Sequence, residues 1–103
     1  GEIMVKHIIL GKLKDEYTAE QKESIKNDIK KGLEGLAGQI DGLVDIRVDV
    51  CGLGSSTVDL MLDSTFADEN ALKGYSVHPK HVAVADTYVR PFAAVRSCFD
   101  YEI

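Results

Sequence analysis

The chain is predicted to be an α+β domain built in the order strand, helix, strand, strand, helix, strand. Three observations predict it. The N-terminal run is β-branched and too short for a helix, one long segment places apolar residues at helical spacing behind a capping box, and later segments alternate apolar and polar residues.

Residues 3–14 read IMVKHIILGKLK and form the first predicted strand. Thr18 stands three residues before Gln21, a capping-box signature, and Ile25, Ile29, Leu33 and Leu36 follow at the spacing of one helix face. Lys22, Lys26 and Lys30 recur on the polar face. Glu20, Glu23, Asp28 and Glu34 interrupt them, so that face reads as solvated rather than as an anion site. Gly35, Gly38 and Gly42 end the helix. Residues 43–51 then alternate, with Val44, Ile46, Val48 and Val50 against Asp45, Arg47 and Asp49, as in a half-buried edge strand. The Gly-Leu-Gly-Ser-Ser stretch at 52–56 reads as a hairpin connection to a further alternating strand at 57–66. A Gly-x-Gly followed by a strand, not a helix, does not fit a dinucleotide loop. Asp68 and Glu69 start a short helix through Ala71, Leu72 and Tyr75, which breaks before His78-Pro79. Pro79 opens another helical turn to about residue 86. Residues 88–101 form the last strand, with Pro91 marking an edge or a bulge at its start. This order is the ferredoxin-like βαββαβ arrangement, a four-stranded antiparallel sheet with helices on one face, read as a single domain over 3–103.

Composition narrows the class of partner. In 103 residues, 17 Asp and Glu outnumber 12 Lys and Arg, for a net charge of −5. That balance offers no broad basic field for nucleic acid or anionic lipid. No stretch nears the ~18–20 apolar residues of a membrane span, and no signal-peptide pattern opens the chain, so the expected location is cytoplasmic. Gly1, where an initiator Met would stand, reads as a processing remnant and is kept out of functional arguments together with Glu2. Cys51 and Cys98 are isolated thiols, fitting neither a zinc knuckle nor a redox pair, and read as small core residues.

Strand parity sorts the side chains onto two faces. Val5, His7 and Ile9, then Val44, Ile46 and Val48, then Val58, Leu60 and Leu62, then Ala93, Val95 and Phe99 make an apolar face for the helices. The other face gathers Ile8, Leu10, Met61, Phe92, Ala94 and Cys98, mixed with Lys6, Arg47, Asp59 and Arg96. No helices remain to cover it. A homodimer packed through this open sheet face is expected. Asp59 and Asp63 fall there too, as ion-pair partners for Lys6, Arg47 or Arg96.

Two segments carry a family resemblance: Met4-Val-Lys-His-Ile-Ile-Leu, and Tyr75-Ser-Val-His-Pro-Lys-His-Val with Val89-Arg-Pro downstream. They resemble the stress-responsive α/β-barrel (Dabb) family over nearly the whole chain, including its olivetolic acid cyclase type. The resemblance implies a ferredoxin-like subunit that forms a dimeric α+β barrel. It also implies chemistry, because that cyclase type closes a linear polyketide by aldol condensation without metal or cofactor. Its Tyr and His pair matches Tyr75 and His81, and a first-strand histidine matches His7. Leu60 stands where the cyclase has a histidine, a departure that argues against the same substrate.

Each histidine has two readings. His7, on an apolar strand face, is either a hydrogen-bonding group at the floor of a pocket or a core histidine satisfied by a carbonyl. His78, immediately before Pro79, reads as a cap or packing residue bordering the site. His81 sits one helical turn on and is able to point back at Tyr75. A base with an unperturbed pKa of ~6.5 beside a phenol of ~10 suits enolisation, aldol closure or a lyase step, and the same pair also serves as a hydrogen-bonded pin of the loop. No metal is assigned to His7, His78 and His81, and no cofactor is expected. The leading expectation is a dimer that binds a small hydrophobic or aromatic ligand and acts as a cofactor-independent acid/base enzyme, with Tyr75 and His81 catalytic and His7, Leu60 and His78 around the ligand. Two alternatives stand beside it: a non-catalytic stress-associated assembly dimer, and a cofactor-free monooxygenase of the dimeric ferredoxin-like barrel class.

Overall fold

The computed structural model describes residues 3–103, so the reading of Gly1 and Glu2 lies outside the described residues. Strand β1 (Val5–Leu13) alternates buried with more exposed side chains and pairs antiparallel on both sides, with β3 (Leu60–Phe66) and β4 (Ala93–Glu102). Strand β2 (Leu43–Asp49) pairs with the other side of β3, which gives the sheet order β2-β3-β1-β4. Between these strands run helix α1 (Ala19–Glu34), helix α2 (Glu69–Val77), helix α3 (Pro79–Val84) and a π-helical turn (Ala85–Val89). The fold is the ferredoxin-like one.

Local chemistry sets each helix. The Gln21 N–H donates to Thr18 Oγ1 at 3.1 Å while the Thr18 N–H donates to Gln21 Oε1 at 2.9 Å, closing the capping box of α1. Ile25, Ile29 and Leu33 of α1 are buried against Val5, Ile9, Leu62 and Val48 in one core. Lys30 and Glu34 are not part of a solvated stripe. The Lys30 ammonium donates to the Val48 carbonyl at 2.7 Å, and Glu34 accepts from the Val48 N–H at 3.0 Å, so the two side chains pair with an otherwise open edge of β2. That backbone hydrogen bond holds the Glu34 carboxyl below its ordinary pKa. Gly42, at φ +81°, lets the chain turn into β2 while its Cα lies against Ala71; a Cβ there would sit 2.5 Å from the Ala71 Cβ.

Four further expectations are corrected. First, β3 begins at Leu60 rather than at residue 57: the Asp59 N–H still donates to the Gly11 carbonyl at 2.9 Å, but the next β1 donor, the Leu13 N–H, goes to the Asp59 carboxylate at 2.8 Å. Second, residues 88 and 89 are not strand. The helical turn expected to end near residue 86 instead runs on through Val89 and packs on α1, where Gly32 leaves room for Val84 and Tyr88. Third, both cysteines are free and exposed rather than core residues.

The fourth correction concerns parity. The β1–β4 ladder shifts by one residue, so Lys12 lies opposite Val95 but Leu13 lies opposite Ala93. Ala93 keeps its predicted face. Beyond the bulge the alternation reverses: Phe99, opposite Ile8, belongs to the open face, whereas Arg96 and Cys98, opposite Gly11 and Ile9, belong to the helix-covered face. A similar shift in β2 leaves Val44 exposed, and Phe92, ahead of β4, packs on Tyr17 instead of joining the open face. On the open face Asp63 meets Lys6 at 2.7 Å and Arg47 at 3.3 Å.

Candidate functional site

A cavity of about 230 Å³ lies between the covered face of the sheet and the helices. Its sheet side is made by His7, Ile9, Leu60 and Leu62, its α1 side by Ile29 and Leu33, and its far side by Tyr75, Ser76, His81 and the π-helical turn. Gly11 is in the floor. Its missing side chain lets Leu60 pack close, since a Cβ would meet the Leu60 side chain at 3.2 Å.

The α2–α3 corner places the two central groups. Leu72 and Tyr75, three residues apart, turn one face of α2 inward, and the Tyr75 ring packs on Phe66 with centroids 4.9 Å apart. His78 then ends α2 and caps α3, its Nδ1 accepting from the Lys80 N–H at 3.1 Å, with Pro79 at the first helical position. His78 itself does not line the cavity. The bend folds His81 over Tyr75, with ring centroids 4.1 Å apart and the planes inclined at 31°.

Both rings end in a buried polar atom without a partner among the described residues: Tyr75 Oη and His81 Nδ1. Tyr75 is 1% exposed, and burial pushes its pKa up to about 12 against a smaller opposing pull from Arg96. Burial also lowers the pKa of His81 below 6.5; the Ser76 backbone acts the other way, and the Arg90 and Arg96 charges reinforce the drop. The resting pair is therefore a neutral phenol and a neutral imidazole. A neutral imidazole accepts a proton, and a phenol that stays protonated donates a hydrogen bond to developing negative charge.

His7 lies behind Tyr75, with ring centroids 6.1 Å apart. Its Nδ1 meets Asp100 Oδ1 at 2.5 Å, and Cys98 Sγ lies 3.3 Å from the same oxygen. Partial desolvation, helped by the Asp100 carboxylate, raises the Cys98 pKa above its ordinary value. Among the described residues His7, Cys98 and Asp100 are the group whose ligand atoms converge closely enough for a metal ion, all within 4.8 Å of one another. The trio of His7, His78 and His81 is not. Sequence reasoning missed Asp100, Cys98 and Arg96 because the β4 bulge decides their side; the only available signal was the position opposite His7, which requires the register.

Fold and site together describe a small α+β subunit with one apolar cavity and a buried Tyr–His pair on its wall. The chain belongs to the stress responsive A/B barrel domain (Dabb) family, whose model matches residues 5–103. Among solved structures it is similar to a dimeric ferredoxin-like protein of unknown function from Bacteroides fragilis, with 34% identity over 97% of this chain and 96% of that one and a TM-score of 0.90. A Dabb family protein from Mesorhizobium loti is 20% identical over 97% and 96% of the two chains, with a TM-score of 0.73. A hydroxynitrile lyase from Passiflora edulis is 15% identical over 100% and 95%, also at 0.73, a likeness of fold alone. Comparison with curated proteins gives no match. Among the described residues no helix is long and apolar enough to cross a membrane.

Proposed function

We propose that this Dabb protein is a homodimer that binds a small, mainly apolar carbonyl compound and catalyses proton transfer next to the carbonyl without a cofactor, with Tyr75 and His81 as catalytic residues. One observation carries the reading: Tyr75 Oη and His81 Nδ1 are both buried, both unpartnered, and both on the wall of one cavity. A buried polar atom left without a hydrogen bond costs about 1–3 kcal/mol, and a ligand oxygen or acidic C–H placed between the two would relieve that cost. In the reaction His81 Nδ1 takes the proton from the carbon beside the carbonyl. The C–H electron pair moves into the enolate, whose oxygen accepts a hydrogen bond from Tyr75 Oη. The enolate then attacks a second carbonyl or expels a leaving group, and the imidazolium returns its proton to the product. His7, held by Asp100, borders the ligand together with Leu60.

The fold accommodates such chemistry, since one protein that shares it is described as a hydroxynitrile lyase. Assembly follows from the open face. Ile8, Leu10, Met61, Phe99 and Tyr101 form an uncovered apolar surface there, and several similar structures are described as dimeric. The test is a thermal-shift screen of wild type and His81→Ala against aromatic, polyketide-like and carboxylic-acid compounds at fixed protein concentration. A ligand that stabilises wild type and not the variant, followed by solvent deuterium uptake beside its carbonyl that Tyr75→Phe abolishes, supports the reading. No binding, together with a His81→Ala protein that melts several degrees lower, makes the pair a structural pin.

A further inference from the structure

We infer that Arg96 is an anion-recognition residue at the mouth of the cavity and that the ligand of this protein is a carboxylate with an apolar body. The inference rests on the Tyr75–His81 reading of the cavity and names the class of compound that the site takes.

The β4 bulge turns Arg96 to the helix-covered face, opposite Gly11, where it joins the cavity lining. Arg96 has no hydrogen-bond or ion-pair partner among the described residues, although the other two arginines of the chain do: Arg47 pairs with Asp49 and Asp63, and Arg90 pairs with Asp86. The cavity walls are otherwise one-sided in charge. Lys12, Arg90 and Arg96 contribute, and no Asp or Glu lines the space. Asp100, on the same face of β4, is already engaged by His7 and Cys98. Arg96 is also close enough for its charge to act on both Tyr75 and His81.

A guanidinium with a free fork on the cavity lining suits a planar, bidentate oxyanion. Ile9, Leu33, Leu60 and Leu62 would cover an apolar ring or chain on the inner side. The arrangement orients the ligand. Its carboxylate stays at the mouth on Arg96, and its carbonyl end reaches the buried pair.

Isothermal titration with phenylacetate and its neutral isostere phenylacetamide reads this directly. A hydrogen bond to a charged group is worth about tenfold to a hundredfold in affinity. Wild type is expected to bind the acid at least about tenfold tighter than the amide. Arg96→Gln should erase that preference by weakening the acid alone, Arg96→Lys should keep part of it, and added salt should narrow it in wild type. Equal binding of acid and amide by wild type, binding of neither, or a preference that survives in Arg96→Gln overturns the inference. So does an Arg96→Gln protein that loses its dimer while keeping the preference, which would make Arg96 an interface residue. Tyr75→Phe, which keeps the ring in place, should retain the acid preference. Its effect on deuterium uptake reports on the acid/base reading separately, so the two proposals fail by different results.

Discussion

Replacing Tyr75 by Phe removes one oxygen and leaves the ring packed on Phe66, His7 and His81. The oxygen that goes is the buried, unpartnered Oη. In most proteins deleting a buried tyrosine hydroxyl costs stability, because its partner is orphaned. Among the described residues it has no partner to be orphaned, and the desolvation of the hydroxyl itself, about 1–3 kcal/mol in mutational data, is relieved. Tyr75→Phe should therefore be no less stable than wild type, with a gain of about 1 kcal/mol, or about 4–8 °C in melting temperature for a domain of this size. Urea denaturation at matched protein concentration is the assay, with midpoint and slope both compared. A midpoint lower by the equivalent of about 1 kcal/mol at unchanged slope would refute the reasoning, since Oη would then hold the α2–α3 corner. A gain in stability with a loss of proton-transfer activity would be the trade expected of a functional group.

Other expectations follow from the same geometry. Tyr75 keeps its proton to about pH 12 in the folded chain but loses it near 10 when unfolded, so stability is intact below pH 10 and falls between 10 and 12 by about 2–3 kcal/mol. Tyr75→Phe should flatten that fall in alkaline denaturation curves. His81, with its folded pKa lowered, works in the opposite direction: the unfolded chain binds its proton first as pH drops through 6.5, and stability declines below that point, a slope that His81→Ala should lessen. Gly42→Ala should cost about 2 kcal/mol or more, because it adds both a positive-φ penalty and a 2.5 Å collision with Ala71; thermal melting checks it. Phe99→Asp should convert the dimer to a monomer in light scattering while the monomer remains folded by circular dichroism.

The order of the elements was legible because it rests on local signals. Thr18 and Gln21 announce α1, Asp68 announces α2, and His78-Pro79 marks the corner, all without reference to distant parts of the chain. Tyr75 and His81 were legible as a pair for the same reason, since only one bend separates them. What the sequence hid is non-local. The residue opposite Lys12 cannot be read from β4 alone, so the one-residue shift at Ala93 moved Arg96, Cys98 and Asp100 to the side of His7 unannounced. Helical packing against Gly32 likewise overrode the strand propensity of Tyr88 and Val89, because a contact to α1 outweighs a local preference.

The turn from Ala85 to Val89 closes with the Arg90 N–H donating to the Ala85 carbonyl at 2.8 Å, five residues back rather than four. Such a turn behaves as an inserted residue that the helix has absorbed. Deleting one residue there would restore the ordinary pitch and swing the residues between the turn and β4 by about 100° around the axis, while α3, Tyr75 and the sheet stay where they are. The cavity thus has one wall whose contents are set by length rather than by identity. Relatives one residue shorter between α3 and β4 should present a different side chain at the position Arg90 now holds, and a different choice of ligand, over an unchanged Tyr–His pair.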